Sequence, residues 1–91
     1  MKEIKKAVVT VIGKDMVGIL SRVSTAIAGG NASVIEVSQS VLDGYFCMIM
    51  IVNITEATLG FEELKNSITE SVPEMKVHLM HEDIFNSMHR I

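Results

Sequence analysis

The sequence predicts an α+β domain: an antiparallel four-stranded sheet with two helices on one face and a short C-terminal helix. Three observations predict it. Segments of strand and helix period follow one another in the order βαββαβ, Asp43-Gly44 marks a tight hairpin, and the first and third strands are apolar on both faces. With 91 residues the chain has room for one domain, expected to span 1–91 with a helical segment over 83–91.

Residues 7–12, Ala-Val-Val-Thr-Val-Ile, are β-branched and stop at Gly13, which predicts a first strand in the interior of its sheet. From Ile19 the period changes. Ile19, Leu20, Val23, Ala26 and Ile27 fall on one helical stripe, with Ser21, Arg22, Ser24 and Thr25 opposite. Gly29-Gly30-Asn31 should end that helix through a left-handed cap.

Over 33–41, polar Glu36, Ser38 and Ser40 alternate with Val37, Gln39 and Val41, the pattern of a half-exposed edge strand. Asp43-Gly44 suits a two-residue turn that needs positive φ at both positions. It leads into 45–53, where Cys47, Ile49 and Ile51 oppose Phe46, Met48, Met50 and Val52, as in a central strand. Gly60 then opens a second helix as its N-cap, with Glu63 reaching back and Leu59 and Leu64 as a hydrophobic staple. Phe61, Leu64, Ile68 and Val72 form its buried stripe, and Pro73 ends it. Residues 76–81 supply the fourth strand, and Ile84, Phe85, Met88 and Ile91 share one face of the closing helix. Right-handed crossovers and the hairpin then favour the ferredoxin-like sheet, strand order 4-1-3-2.

Composition narrows function. The longest apolar run, 46–52, is far short of the roughly 20 residues of a membrane span, and no signal-peptide pattern precedes the first strand. A cytoplasmic protein is expected, with no membrane partner. The net charge of −3 provides no field for phosphate backbones, so no nucleic acid is expected. The lone Cys47 sits in an apolar strand and reads as a buried thiol.

The segment Gly13-Lys14-Asp15-Met16-Val17-Gly18-Ile19-Leu20, followed by Val23 and by Asn31-Ala32-Ser33-Val34, resembles the ACT-domain pattern. That pattern is a strand, a short loop ending in Gly, a helix, and a G-V-N-I start to the second strand. The Gly-Lys-Asp start, Ser38-Gln39, Phe61-Glu62-Glu63-Leu64 and the ending from Glu82 to Ile91 are similar to a family of small stand-alone bacterial ACT proteins. Similar domains occur in the transcriptional repressor of the glycine cleavage system. The resemblance implies a non-catalytic regulatory domain that pairs into a homodimer and holds an amino acid or similar metabolite between two chains. The loop would contribute Gly13, Asp15, Met16, Val17 and Gly18, and the second strand of the neighbour Ser33 and Val34. An assembly module without a small ligand, or one acting through a larger regulatory protein, is the alternative. No cofactor is implied.

The loop has a physical rationale in either reading. Gly18 at the helix start lets backbone approach a ligand carboxylate, and Asp15 is placed to accept an ammonium. Equally, Gly18 serves a tight strand-to-helix turn and Asp15 caps the helix. Ser33 departs from the Asn of G-V-N-I, which bears on which ligand fits.

Other chemistries fit less well. The G-x-x-x-x-G spacing of Gly13 and Gly18 is followed by Ile19 and Leu20, not the Lys and Ser/Thr of a phosphate loop. Arg22 lies inside a helix and Arg90 near the end, so neither forms the first-loop phosphate clamp of an acylphosphatase. Asp43-Gly44-Tyr45-Phe46 echoes an RNA-recognition motif, but 4% aromatic residues give too little stacking surface. His78 and His81 on one strand point to opposite faces and cannot chelate together, with His89 expected near a helix end. The methionines read as core or interface filler.

Overall fold

The computed structural model describes residues 4–14 and 17–88. Strands β1 (Lys6–Gly13), β2 (Ser33–Leu42), β3 (Tyr45–Asn53) and β4 (Lys76–His81) form one antiparallel sheet in the order β2-β3-β1-β4. This is the expected order read from the other edge. Helices α1 (Ile19–Gly29) and α2 (Phe61–Ser71) pack on one face, and α3 (Glu82–Met88) follows β4 directly.

Register explains the layering. Pairs Ala7↔Val52, Val9↔Met50 and Val11↔Met48 point at the helices and meet Ile19, Val23, Ile27, Leu64, Ile68 and Val72 in one core cluster. That stripe of α1 and α2 is the one the 3.6-residue period marks. The other face carries Val8↔Ile51, Thr10↔Ile49 and Ile12↔Cys47. Here α3 turns back against β1 and β4, and Val8 is only 1% exposed. Ile12 and Ile49 lie beyond this cover and are exposed. In the stripe expected of α3, Ile84 is exposed and Phe85 half-buried, while Ile91 lies outside the described residues, as do the side chain of Met88 and His89.

Two expectations need correction, those for β2 and for Cys47. β2 is exposed along its whole length, not along one face only, because it borders a single strand and the helices bury β1 and β3. A bulge between Val34 and Glu36 also breaks its alternation. α1 ends at Gly29-Gly30-Asn31 through a left-handed residue as expected, and that residue is Asn31 (φ 59), whereas Gly30 has φ −92. Gly30 is small for packing: a Cβ there would meet Leu64 at 3.0 Å and Leu59 at 3.2 Å. Cys47 is half-buried on the open sheet face rather than buried in the core. The hairpin forms as expected, with φ 53 at Asp43 and 81 at Gly44. Glu63 accepts the Gly60 amide at 3.1 Å, and this fixes the start of α2.

Candidate functional site

The loop from β1 to α1 leaves the sheet at Gly13, which pairs with Phe46 beside the β2–β3 hairpin. A Cβ on Gly13 would run into the end of the Met75 side chain, which would have to shift, so the glycine packs closely against the α2–β4 turn. Gly18 differs. It is left-handed, φ 72, and a Cβ there would have no neighbour within 4 Å among the described residues. Its conformation favours glycine, and the described residues leave the space beside it open.

Gly18 is the N-cap of α1 and its carbonyl accepts the Arg22 amide at 2.9 Å. No side-chain cap and no acidic residue occupies the first turn among the described residues. The positive end of the helix dipole therefore faces the open space at the loop. Val17 is 82% exposed there, and the Lys14 ammonium lies 5.7 Å from the Tyr45 ring centre. Asp15 and Met16, the other loop residues expected at the site, lie outside the described residues.

Ser33 and Val34 stand at the far end of the sheet from this loop. Ser33 pairs with Asn53, which pairs with Lys6, at the opposite end of β1 from Gly13. From Lys6 to Gly13 is seven residue steps, roughly 23 Å of strand. One copy of the chain does not bring the two halves of the expected site together. Tyr45 joins the loop end without having been expected there. The antiparallel register of β1 on β3 is the signal that would have found it.

The ACT-domain family model matches residues 5–82. The chain belongs to the ACT-domain family. This ACT domain is 44% identical over 88 residues to a UPF0237 protein of Listeria innocua, covering 94% of this chain and 99% of the relative. Relatives of that kind come from bacteria and archaea alike. It is also similar to the solved structure of an ACT domain protein from Streptococcus pneumoniae, with TM-score 0.77 and 33% identity over 91% of this chain and 96% of that one. A crystal structure of a putative glycine cleavage system transcriptional repressor shares the fold, TM-score 0.61 at 14% identity, covering 88% of this chain and 46% of that one.

The described part of the ACT domain provides open backbone, a helix dipole and a cation at the loop, and a core with no buried polar or charged side chain. Those features suit binding. His78 and His81 pair with Thr10 and Ala7, on opposite faces of the sheet, and do not converge on one ion.

Proposed function

We propose that residues 1–91 form a single non-catalytic regulatory ACT domain that works as a homodimer and binds an amino acid or similar metabolite between two copies. One observation carries this reading: the two halves of the expected site lie at opposite ends of one sheet, beside an edge strand that is exposed throughout. Antiparallel pairing of β2 with β2 of a second copy reverses the strand direction at the interface. The Gly13, Asp15, Met16, Val17 and Gly18 loop of one copy is then carried towards Ser33 and Val34 of the other. A ligand carboxylate would meet the first turn of α1, and Asp15 would take its ammonium. Binding across the interface tightens the dimer by mass action.

Membership in the ACT family supports the regulatory, non-catalytic reading. No described helix is long and apolar enough to cross a membrane, and the net charge is −3, which supports a cytoplasmic site of action without membrane or nucleic acid. The likeness in fold to part of the putative glycine cleavage system transcriptional repressor, of which this chain covers 46%, supports the second reading, a module that assembles with a larger regulatory protein.

Mixing two variants tests the split site. Gly18→Val spoils the loop and Ser33→Trp spoils the strand, so neither homodimer should bind amino acids. Mixed dimers contain one site with both halves intact, and calorimetry of the mixture should recover roughly a quarter of wild-type capacity. No recovery, with mixed dimers present, sinks the shared site. No amino-acid heat from the wild type, with a dimer present, leaves the assembly reading in its place.

A further inference from the structure

The sheet end away from the Gly18 loop carries a concavity that the reading above does not use. After β3 the chain crosses from Ile54 to Gly60 as a tethered segment. The Ile54 amide donates to the Lys5 carbonyl at 2.9 Å, the Thr58 amide to the Gly30 carbonyl at 2.9 Å, and Asn31 Nδ2 to the Glu56 carbonyl at 2.9 Å. These bonds hold the segment against β1 and the end of α1, so the hollow behind it has fixed walls.

That hollow has a volume of about 280 Å³. Its floor is Ile54, Leu59, Phe61 and Leu64, all packed on or within the hydrophobic core. Its rim is polar: Lys5, Thr55 and His81. The Thr55 hydroxyl oxygen accepts the Lys5 amide at 2.8 Å, which leaves its proton to donate elsewhere. The His81 ring stacks on Phe61, centroids 4.3 Å apart at 21°, which fixes an imidazole edge at the mouth. Lys5 and His81 also line an adjoining cleft of about 220 Å³ with Ile4, Lys6, Glu82 and Asp83, where Lys6 lies 3.9 Å from Glu82.

We propose that this hollow is a second ligand site, for a small apolar carboxylate of the size of leucine or phenylalanine. Its volume lies just below the range of drug-sized pockets, which matches a ligand of amino-acid size. The apolar floor takes the hydrocarbon body. Lys5, with the Thr55 hydroxyl and His81, takes the carboxylate through charge-assisted hydrogen bonds. In an amino acid the ammonium then faces the adjoining cleft, where Glu82 and Asp83 supply negative charge. This site lies within one copy and does not depend on the interface site.

The test is a titration of 15N-labelled full chain with L-leucine, L-phenylalanine, 4-methylpentanoate and 3-phenylpropionate at millimolar concentration. Saturable amide shifts are expected at Lys5, Thr55, Ala57, Leu59, Phe61 and His81. Lys5→Glu should weaken them about tenfold. Ala57→Leu, which fills the hollow from its wall, should weaken them as much, with unchanged melting showing that the fold persists. Shifts confined to Gly18, Ser33 and their neighbours would overturn this site and leave the interface reading standing. Shifts at the hollow that ignore both substitutions would overturn it too, and no shift at the hollow with any of the four probes would remove this site while leaving the interface reading to its own mixing test.

Discussion

The Arg22 guanidinium grips the Glu74 carboxylate at two points, Nη2 to Oε2 at 2.8 Å and Nη1 to Oε1 at 3.4 Å. Nη1 also reaches the Ser71 carbonyl at 3.3 Å, so one residue of α1 fastens both the end of α2 and the turn into β4. The hydrogen bonds from Arg22, then one from the backbone of Glu74 itself, hold the Glu74 carboxyl below its ordinary value of 4.5.

A depressed carboxyl pKa means that the unfolded chain binds more protons at acid pH than the folded one. The contribution of this pair is therefore fully present above the unfolded value and is lost as pH falls through the lower folded value. Glu74→Gln should lower the urea midpoint at neutral pH by a small amount, as expected of an exposed pair, and the gap to wild type should close in acid. A gap that stays constant down to low pH would mean that the ionised carboxylate is not what holds the turn.

Gly13 and Met75 make a second pair whose relation the structure defines. Gly13→Ala should destabilise by about 1 kcal/mol, the low end for overpacking, because its new methyl group displaces only the flexible end of the Met75 side chain. Combined with Met75→Ala, the cost of Gly13→Ala should shrink, and a double-mutant cycle on urea midpoints measures the coupling. Additive costs would show that the Met75 side chain is not what opposes the new methyl group.

At Gly18 strain is the issue and not crowding by the described residues, since φ is 72 and none of them lies within 4 Å of a Cβ there. Gly18→Asn should cost least, Gly18→Ala about 1–2 kcal/mol, and Gly18→Val more, following the steric order for left-handed backbone. Thermal melts of the three variants check the order. Equal melting for Val and Asn would contradict the left-handed turn.

How far these features were legible in the sequence depends on how local they are. β1, β3 and both long helices follow from apolar period, and the Asp43-Gly44 hairpin from two residues whose positive φ is intrinsic to their turn. The exposure of β2 was not legible on both faces, because alternation reports which side chains share a face and not whether a helix covers that face. The close packing at Gly13 comes from Met75, a partner remote in sequence with no local mark. The hollow rimmed by Lys5, Thr55 and His81 draws on three separate strand ends and the start of α2, none of them unusual in itself. Of the expected interface site, the motif marked the residues, but only the register revealed that its halves stand at opposite ends of the sheet.

The interface makes the sharpest demand on β2. Val37 and Val41 pair with Met50 and Phe46, so they project on the helix side of the sheet, yet they are 41% and 66% exposed. A long edge strand with exposed valines and only one charged residue, Glu36, invites pairing with another chain. In an isologous pair each substitution enters the interface twice. Val37→Lys with Val41→Lys should therefore leave a monomer in sedimentation velocity at micromolar concentration. Its urea midpoint, extrapolated for a monomer, should stay close to that of dissociated wild type, because surface substitutions on residues this open change stability by about 0.5 kcal/mol or less. The control is Ile49→Lys, on the opposite face of β3, where Ile12 and Ile49 form an open apolar strip beyond α3. A dimer that survives both lysines on β2 but is broken by Ile49→Lys would place the contact on that sheet face. The loop of one copy would then have no β2 strand of the other beside it, and the shared site would lose its geometric basis.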